Sequence, residues 1–212
     1  LRAIAGLYTE TCQLVVRADS NIQTLDDLSG HTVSIGAEES GTERNATQIL
    51  EFAGMPSSLV ATKNLDYIEA TKELKAGDID AFFCTAGLTT TVIDELSNEC
   101  DIRLIPLTDT VISKMLESSS AYTSEVIPAG TYTGQTTDIS TIGVKSVLIT
   151  KSDVSDDTIE KLTSLLFEKE NELSYSNSLK LELTYDFATD DMPIPFHNGA
   201  KRYYEDYGYS TN

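Results

Sequence analysis

Ser40, Gly41, Thr42 and Asn45 have the types and spacing to hold an anion. Thr32-Val33-Ser34-Ile35-Gly36 reads as a short strand. Small residues follow it, and a helical pattern then carries Ala46, Ile49, Leu50 and Ala53 on one face. The first N–H groups of a helix have no intrahelical acceptor, and the helix dipole adds partial positive charge there. A carboxylate or phosphate is therefore stabilised at such a corner. Ser40-Gly41-Thr42-Glu43 also fits the S-x-x-E capping box, with Ser40 as N-cap and Glu43 reaching back. Two readings follow: a cap alone, or a ligand carboxylate on the amides of Gly41 and Thr42 and on the Thr42 hydroxyl. Asn45, one turn further, supplies an amide to that ligand or sits solvated, and Arg44 pairs with an anion or faces water.

A second corner of the same design is Phe82-Phe83-Cys84-Thr85-Ala86-Gly87. In a parallel sheet such corners gather at the carboxyl ends of the strands, where ligands bind. Thr85 otherwise reads as an N-cap and Gly87 as a tight turn. In Ile127-Pro128-Ala129-Gly130-Thr131-Tyr132, a single aromatic stands in an uncharged loop. Tyr132 either covers a ligand and donates its O–H, or packs.

Catalytic signatures are weak. No G-x-S-x-G elbow, Walker-type loop or H-E-x-x-H occurs. The three cysteines form no C-x-x-C, and the histidines are His31 and His197 alone, so no metal site and no cofactor is expected. Cys84, in an apolar strand, reads as a buried free thiol.

The elements that must position these residues alternate along the chain. Strands are expected at 13–17, 32–36, 60–62, 79–84, 102–106 and 142–150. Helices are expected from Thr42, from Tyr67 with Ala70, Thr71 and Leu74 on one face, from Leu88, from Val111, after Ser155, and from Gly199 through Tyr204. That order predicts an open, mostly parallel sheet covered on both faces. Tyr122 to Asp138, rich in Thr, Gly and Tyr, is expected to be an extended crossing segment. The tail tyrosines are expected to pack the last helix.

The formal charge of −19 over 212 residues disfavours nucleic acid and anionic lipid as partners. No apolar run is long enough to span a bilayer, so direct membrane insertion is not expected of these residues. Leu1 enters in mid-pattern, so the chain reads as a fragment or a processed form.

Several stretches together resemble the TAXI class of solute receptors of tripartite (TRAP) transporters, within the type II periplasmic-binding-protein fold. They are Leu1 to Tyr8, Gln13 to Ser20, Asp27 through Thr42, Gly77 to Phe83 with Thr85-Ala86-Gly87, Ile127 to Tyr132, and Pro193-Ile194-Pro195 with His197 and Gly199-Ala200. They span nearly the whole chain in order. The resemblance implies an α/β fold with one complete lobe plus the C-terminal part of the other. Residues 1–14 would be a remnant of lobe 1 and the first hinge crossing, 15–145 lobe 2, and 146–212 the second crossing and the return to lobe 1.

It also implies an extracytoplasmic or periplasmic receptor, lipid-anchored or not through a preceding segment, that binds a small carboxylate. Its ligand would be a glutamate-like amino acid or a dicarboxylate, passed to the membrane permease subunits of a TRAP transporter. Carried over residue by residue, the ligand contacts are Ser40, Gly41, Thr42, Asn45, Thr85, Ala86, Gly87 and Tyr132, with Tyr8 and Glu10 as hinge candidates. The chain departs from the family pattern at Thr9, His31 and Cys84. Two other readings remain for this fold: the ligand-sensing domain of a regulator, and an enzyme.

Overall fold

The computed structural model describes residues 1–169, 173, 181 and 183–211. It divides into two compact units. One comprises Leu1–Thr9 with Lys145–Asn212, and the other comprises Glu10–Val144. Strands β1 (Arg2–Arg17) and β7 (Ile139–Thr150) each contribute residues to both.

The 10–144 unit is a mixed sheet with helices on both faces. Its further strands are β2 (Thr32–Ser34), β3 (Ala61–Lys63), β4 (Ala81–Ala86), β5 (Ile102–Leu104) and β6 (Tyr122–Ile127). Strand β2 pairs in parallel with β3 and β4, as expected. The expectation of a mostly parallel sheet needs correction elsewhere. Strand β1 runs antiparallel to both β4 and β5, with Thr11 opposite Ala86 and Val15 opposite Leu104. Strands β2 to β5 thus share one direction, but β1 comes between β4 and β5. Nor is Tyr122 to Asp138 an extended crossing. Its first part is β6, antiparallel to β7 with Tyr122 opposite Val144. Its remainder is a closed loop in which Gln135 Nε2 donates to the carbonyls of Pro128 (3.0 Å) and Thr137 (3.1 Å).

Side-chain alternation on β1 and β4 builds two cores, one on each face. Cys12, Leu14, Val16, Ala81 and Phe83 meet α1 (Gly41–Phe52) and α4 (Asp109–Ser118). Val15, Phe82 and Cys84 meet α2 (Tyr67–Ala76) and α3 (Thr91–Glu99). Each fully buried Phe, Ile or Leu among them contributes about 1.5–3 kcal/mol.

Cys12 and Cys84 therefore face opposite cores, and all three cysteines are free thiols. Burial pushes the Cys12 and Cys84 thiols up from 9.0 to about 12. Because both folded values are raised, this protonation stabilises the fold fully below pH 9.0, and the contribution is lost as pH rises toward about 12. Ellman's reagent at pH 8 is expected to titrate Cys100 alone in the native protein and all three thiols after denaturation. Rapid native labelling of two or three would contradict this burial.

In the other unit, α5 (Asp156–Glu168), α6 (Tyr185–Thr189) and α7 (Asn198–Asp206) cover the terminal half of β1 and the end of β7. The tail tyrosines pack, as expected. Tyr204 is fully buried and donates to the Ile4 carbonyl at 3.0 Å. Tyr185 stacks on Phe167 at 4.5 Å and on Tyr209 at 5.0 Å. No described helix is long and apolar enough to cross a membrane.

Candidate functional site

Helix α1 begins where the sequence places it. Ser40 is extended (φ −77°, ψ 160°), and its Oγ accepts the Glu43 N–H at 3.1 Å. The reciprocal half of the expected capping box is shifted. The Ser40 N–H goes to the Ala37 carbonyl, and the Glu43 carboxylate accepts from the Glu39 N–H (2.6 Å) and from Asn64 Nδ2 (2.7 Å). With its two oxygens so occupied, Glu43 is turned toward the preceding corner.

Ser40, Gly41, Thr42, Asn45 and Thr85 line one cavity of about 590 Å³, within the usual range for small-molecule sites. Arg44, Gln48, Tyr67, Tyr122, Glu10 and Val144 are also in its wall. The sheet brings them together. Thr85 is near the carboxyl end of β4, and the antiparallel β1 delivers Glu10 to the same edge beside Thr11. Val144 and Tyr122 arrive opposite one another on β7 and β6.

A hydroxyl network runs across this wall. Tyr67 Oη lies 2.6 Å from Thr42 Oγ1, donates to the Thr85 carbonyl at 3.0 Å and accepts the Thr85 N–H at 3.2 Å. With the Tyr67 proton committed to Thr85, the Thr42 hydroxyl is the donor in the short contact, and its oxygen keeps acceptor capacity. Asn45 Nδ2 donates to Thr85 Oγ1 at 3.3 Å. Tyr122 Oη sits 3.0 Å from Asn45 Oδ1 and 3.1 Å from Gln48 Oε1. A single phenolic proton serves one of those oxygens, so the other amide gains by turning its NH₂ toward the phenol. Burial pushes Tyr67 up to about 12 and raises Tyr122 as well. Both phenols remain neutral donors near neutral pH.

Ala86, Gly87 and Tyr132 are not in this wall. Thr85 belongs to β4, and α3 starts at Thr91 with Thr90 as its N-cap. Thr85 is thus not the cap of a second helix corner, because the chain bends through 87–90 before the helix begins. Ala86 and Gly87 lie in that exit, where the Gly87 carbonyl accepts the Thr90 hydroxyl at 2.7 Å. Tyr132 is buried at 3% exposure in the core against α2 and α3. Its hydroxyl donates to Gln13 Oε1 at 2.7 Å and accepts the Thr90 N–H at 3.1 Å. His31, without an evident partner in the sequence, meets Asp80 at 3.1 Å.

Sequence reasoning missed Tyr67, Tyr122 and Gln48. Tyr67 opens a helix and Tyr122 opens a strand, with nothing local to aim either at position 42 or 45. One signal was available for Gln48: it lies three residues after Asn45 and so shares its helix face.

The sequence profile of the NMT1-like family matches residues 1–208. The chain belongs to the NMT1-like family. This NMT1-like chain is also similar to several solved structures at low identity. An ancestral arginine-binding protein bound to glutamine matches at 17% identity and a TM-score of 0.43, over 80% of this chain and 57% of that one. The periplasmic aliphatic sulphonate binding protein SsuA from Escherichia coli matches at 14% and 0.47, over 84% and 52%. Tv2483 bound to L-arginine matches at 17% and 0.47, over 84% and 58%. The NMT1-like chain thus spans a little over half the length of these three structures.

Proposed function

We propose that this NMT1-like chain is part of an extracytoplasmic solute receptor that binds a small carboxylate, either a glutamate-like amino acid or a dicarboxylate. The observation that carries the reading is the start of α1 in the wall of the polar cavity. The N–H groups of Gly41 and Thr42 make no hydrogen bond among the described residues, and Arg44 is in the same wall. The dipole, two open amides and a guanidinium favour an anionic group. Hydroxyls and amides around it supply directional contacts for the rest of the molecule.

The proposed activity is binding rather than turnover. A general acid–base mechanism needs paired titratable groups, and this wall offers one carboxylate, Glu10, beside neutral phenols. The two-lobed arrangement, closure about the crossing strands β1 and β7, and delivery to TRAP permease subunits belong to the same proposal, supported by the sequence resemblance.

Calorimetry on the full-length protein tests the assignment. Thr42→Ala with Thr85→Ala is expected to weaken carboxylate binding about tenfold to hundredfold, since a hydrogen bond to a charged group contributes about 1.5–3 kcal/mol. The melting temperature should also fall, because the hydroxyls hydrogen-bond Tyr67 and Asn45, so affinity is compared at a temperature where the double variant is folded. An unchanged affinity in the folded double variant would remove these residues from the ligand site.

A further inference from the structure

The cavity wall carries one basic and one acidic side chain, Arg44 and Glu10. They come from different elements. Arg44 is in the first turns of α1, beside the open amides of Gly41 and Thr42. Glu10 is on β1, immediately before the register pair Thr11–Ala86. Alternation puts Glu10 on the same sheet face as Cys12, Leu14 and Val16, the face that carries α1 and α4. The antiparallel course of β1 carries it to the edge where β4 ends.

We infer that Glu10 selects ligands by charge, favouring a carboxylate that also bears a cationic group over one that is doubly anionic. The inference rests on the carboxylate reading of the cavity and adds a specificity determinant to it. With the carboxylate of such a ligand on the α1 terminus and Arg44, a second anionic group near Glu10 meets a like charge. An ammonium there meets a counter-charge. In a partly desolvated cavity both effects exceed their size in water. The surplus of acidic residues, 34 Asp and Glu against 15 Lys and Arg, strengthens the penalty on a dianion at low salt.

Three five-carbon diacids differing at one carbon serve as probes: L-glutamate, 2-oxoglutarate and glutarate. Affinities of the full-length protein are measured by calorimetry at low ionic strength. The wild-type protein is expected to bind L-glutamate at least about tenfold more tightly than the other two. Glu10→Gln should bring that ratio toward one by weakening L-glutamate while keeping or improving glutarate. Arg44→Met should weaken all three. The ratio within one variant is the readout, so a general loss of folded protein does not imitate the effect.

A ratio that Glu10→Gln leaves unchanged, or a wild-type preference for glutarate, overturns the charge-selection role and leaves the carboxylate reading standing. No binding of any of the three to the wild-type protein takes down both.

Discussion

Gly199→Ala is expected to destabilise the unit formed by 1–9 and 145–212 by about 3 kcal/mol or more, the upper range for overpacking. Gly199 is the second residue of α7, which packs against the start of α5. A Cβ built at Gly199 would stand 2.1 Å from the Asp156 carbonyl oxygen and 2.9 Å from both the Asp156 carbonyl carbon and the Glu160 nitrogen. All three are backbone atoms, so no rotamer change relieves the contact. The helices would have to separate, and buried Tyr204, Ala200 and Ile159 would lose their packing. The ion pairs of Arg202 with Asp156 (3.1 Å) and Asp157 (3.3 Å) cannot offset such a loss, because Arg202 is half exposed and surface pairs contribute about 0–1 kcal/mol. Urea unfolding followed by the fluorescence of the tyrosine cluster measures the effect. Gly41→Ala, where nothing lies within 4 Å of the added carbon, is the control. A Gly199→Ala midpoint equal to that of the control would refute the close approach.

Gly36→Ala should abolish ligand binding and destabilise the 10–144 unit by about 2–4 kcal/mol. Two costs combine. Gly36 has φ +99°, outside the regions that L-residues populate readily. Its added Cβ would also stand 2.7 Å from Thr42 Cβ, 2.9 Å from Thr42 Cγ2 and 3.0 Å from Ser40 Oγ. The α1 cap and the Thr42 hydroxyl would be displaced together, and the link to Tyr67 would break. Asn64, which donates to the Gly36 carbonyl at 3.1 Å, would lose its partner as the corner moves. Parallel denaturation and calorimetry measure both effects. A Gly36→Ala protein with wild-type stability and wild-type affinity for the proposed carboxylate ligand would remove the corner from the site.

Gly36 shows how far local sequence reaches. A glycine after a β-branched strand, followed by Ser-Gly-Thr and a 3.6-residue apolar pattern, marks a strand, a corner and a capped helix without reference to the rest of the chain. The same holds for α2. Ala70, Thr71 and Leu74 are its buried face, as spacing alone predicts. These are short-range effects of hydrogen-bond geometry and periodicity.

Strand β1 shows where that reach ends. Ala3, Ala5 and Gly6 have low strand propensity, yet they belong to a 16-residue strand, because neighbouring strands and helices bury them. The position of Thr85 was misread for a related reason. Phe83-Cys84-Thr85-Ala86-Gly87 resembles a strand-to-helix corner, but Thr90 is the cap of α3. The preceding bend is fixed by Tyr132 and Gln13, 42 and 77 residues away from Thr90 in sequence. No window of a few residues contains that information.

The sequence by itself determined most of the helices and the short parallel strands, their apolar faces, the cap on α1 and the acidic charge. Each follows from residue type and from neighbours within one or two turns of chain. Only the tertiary structure decided which polar groups meet. It brought Tyr67 to Thr42 and Thr85, Tyr122 to Asn45 and Gln48, and Glu10 into one wall with Arg44, while Tyr132 went to the opposite core. The physical reason is strand order and direction. Reversing β1 relative to β4 delivers Glu10 to the edge where α1 begins, and side-chain alternation then assigns each residue to the cavity face or to the core behind it.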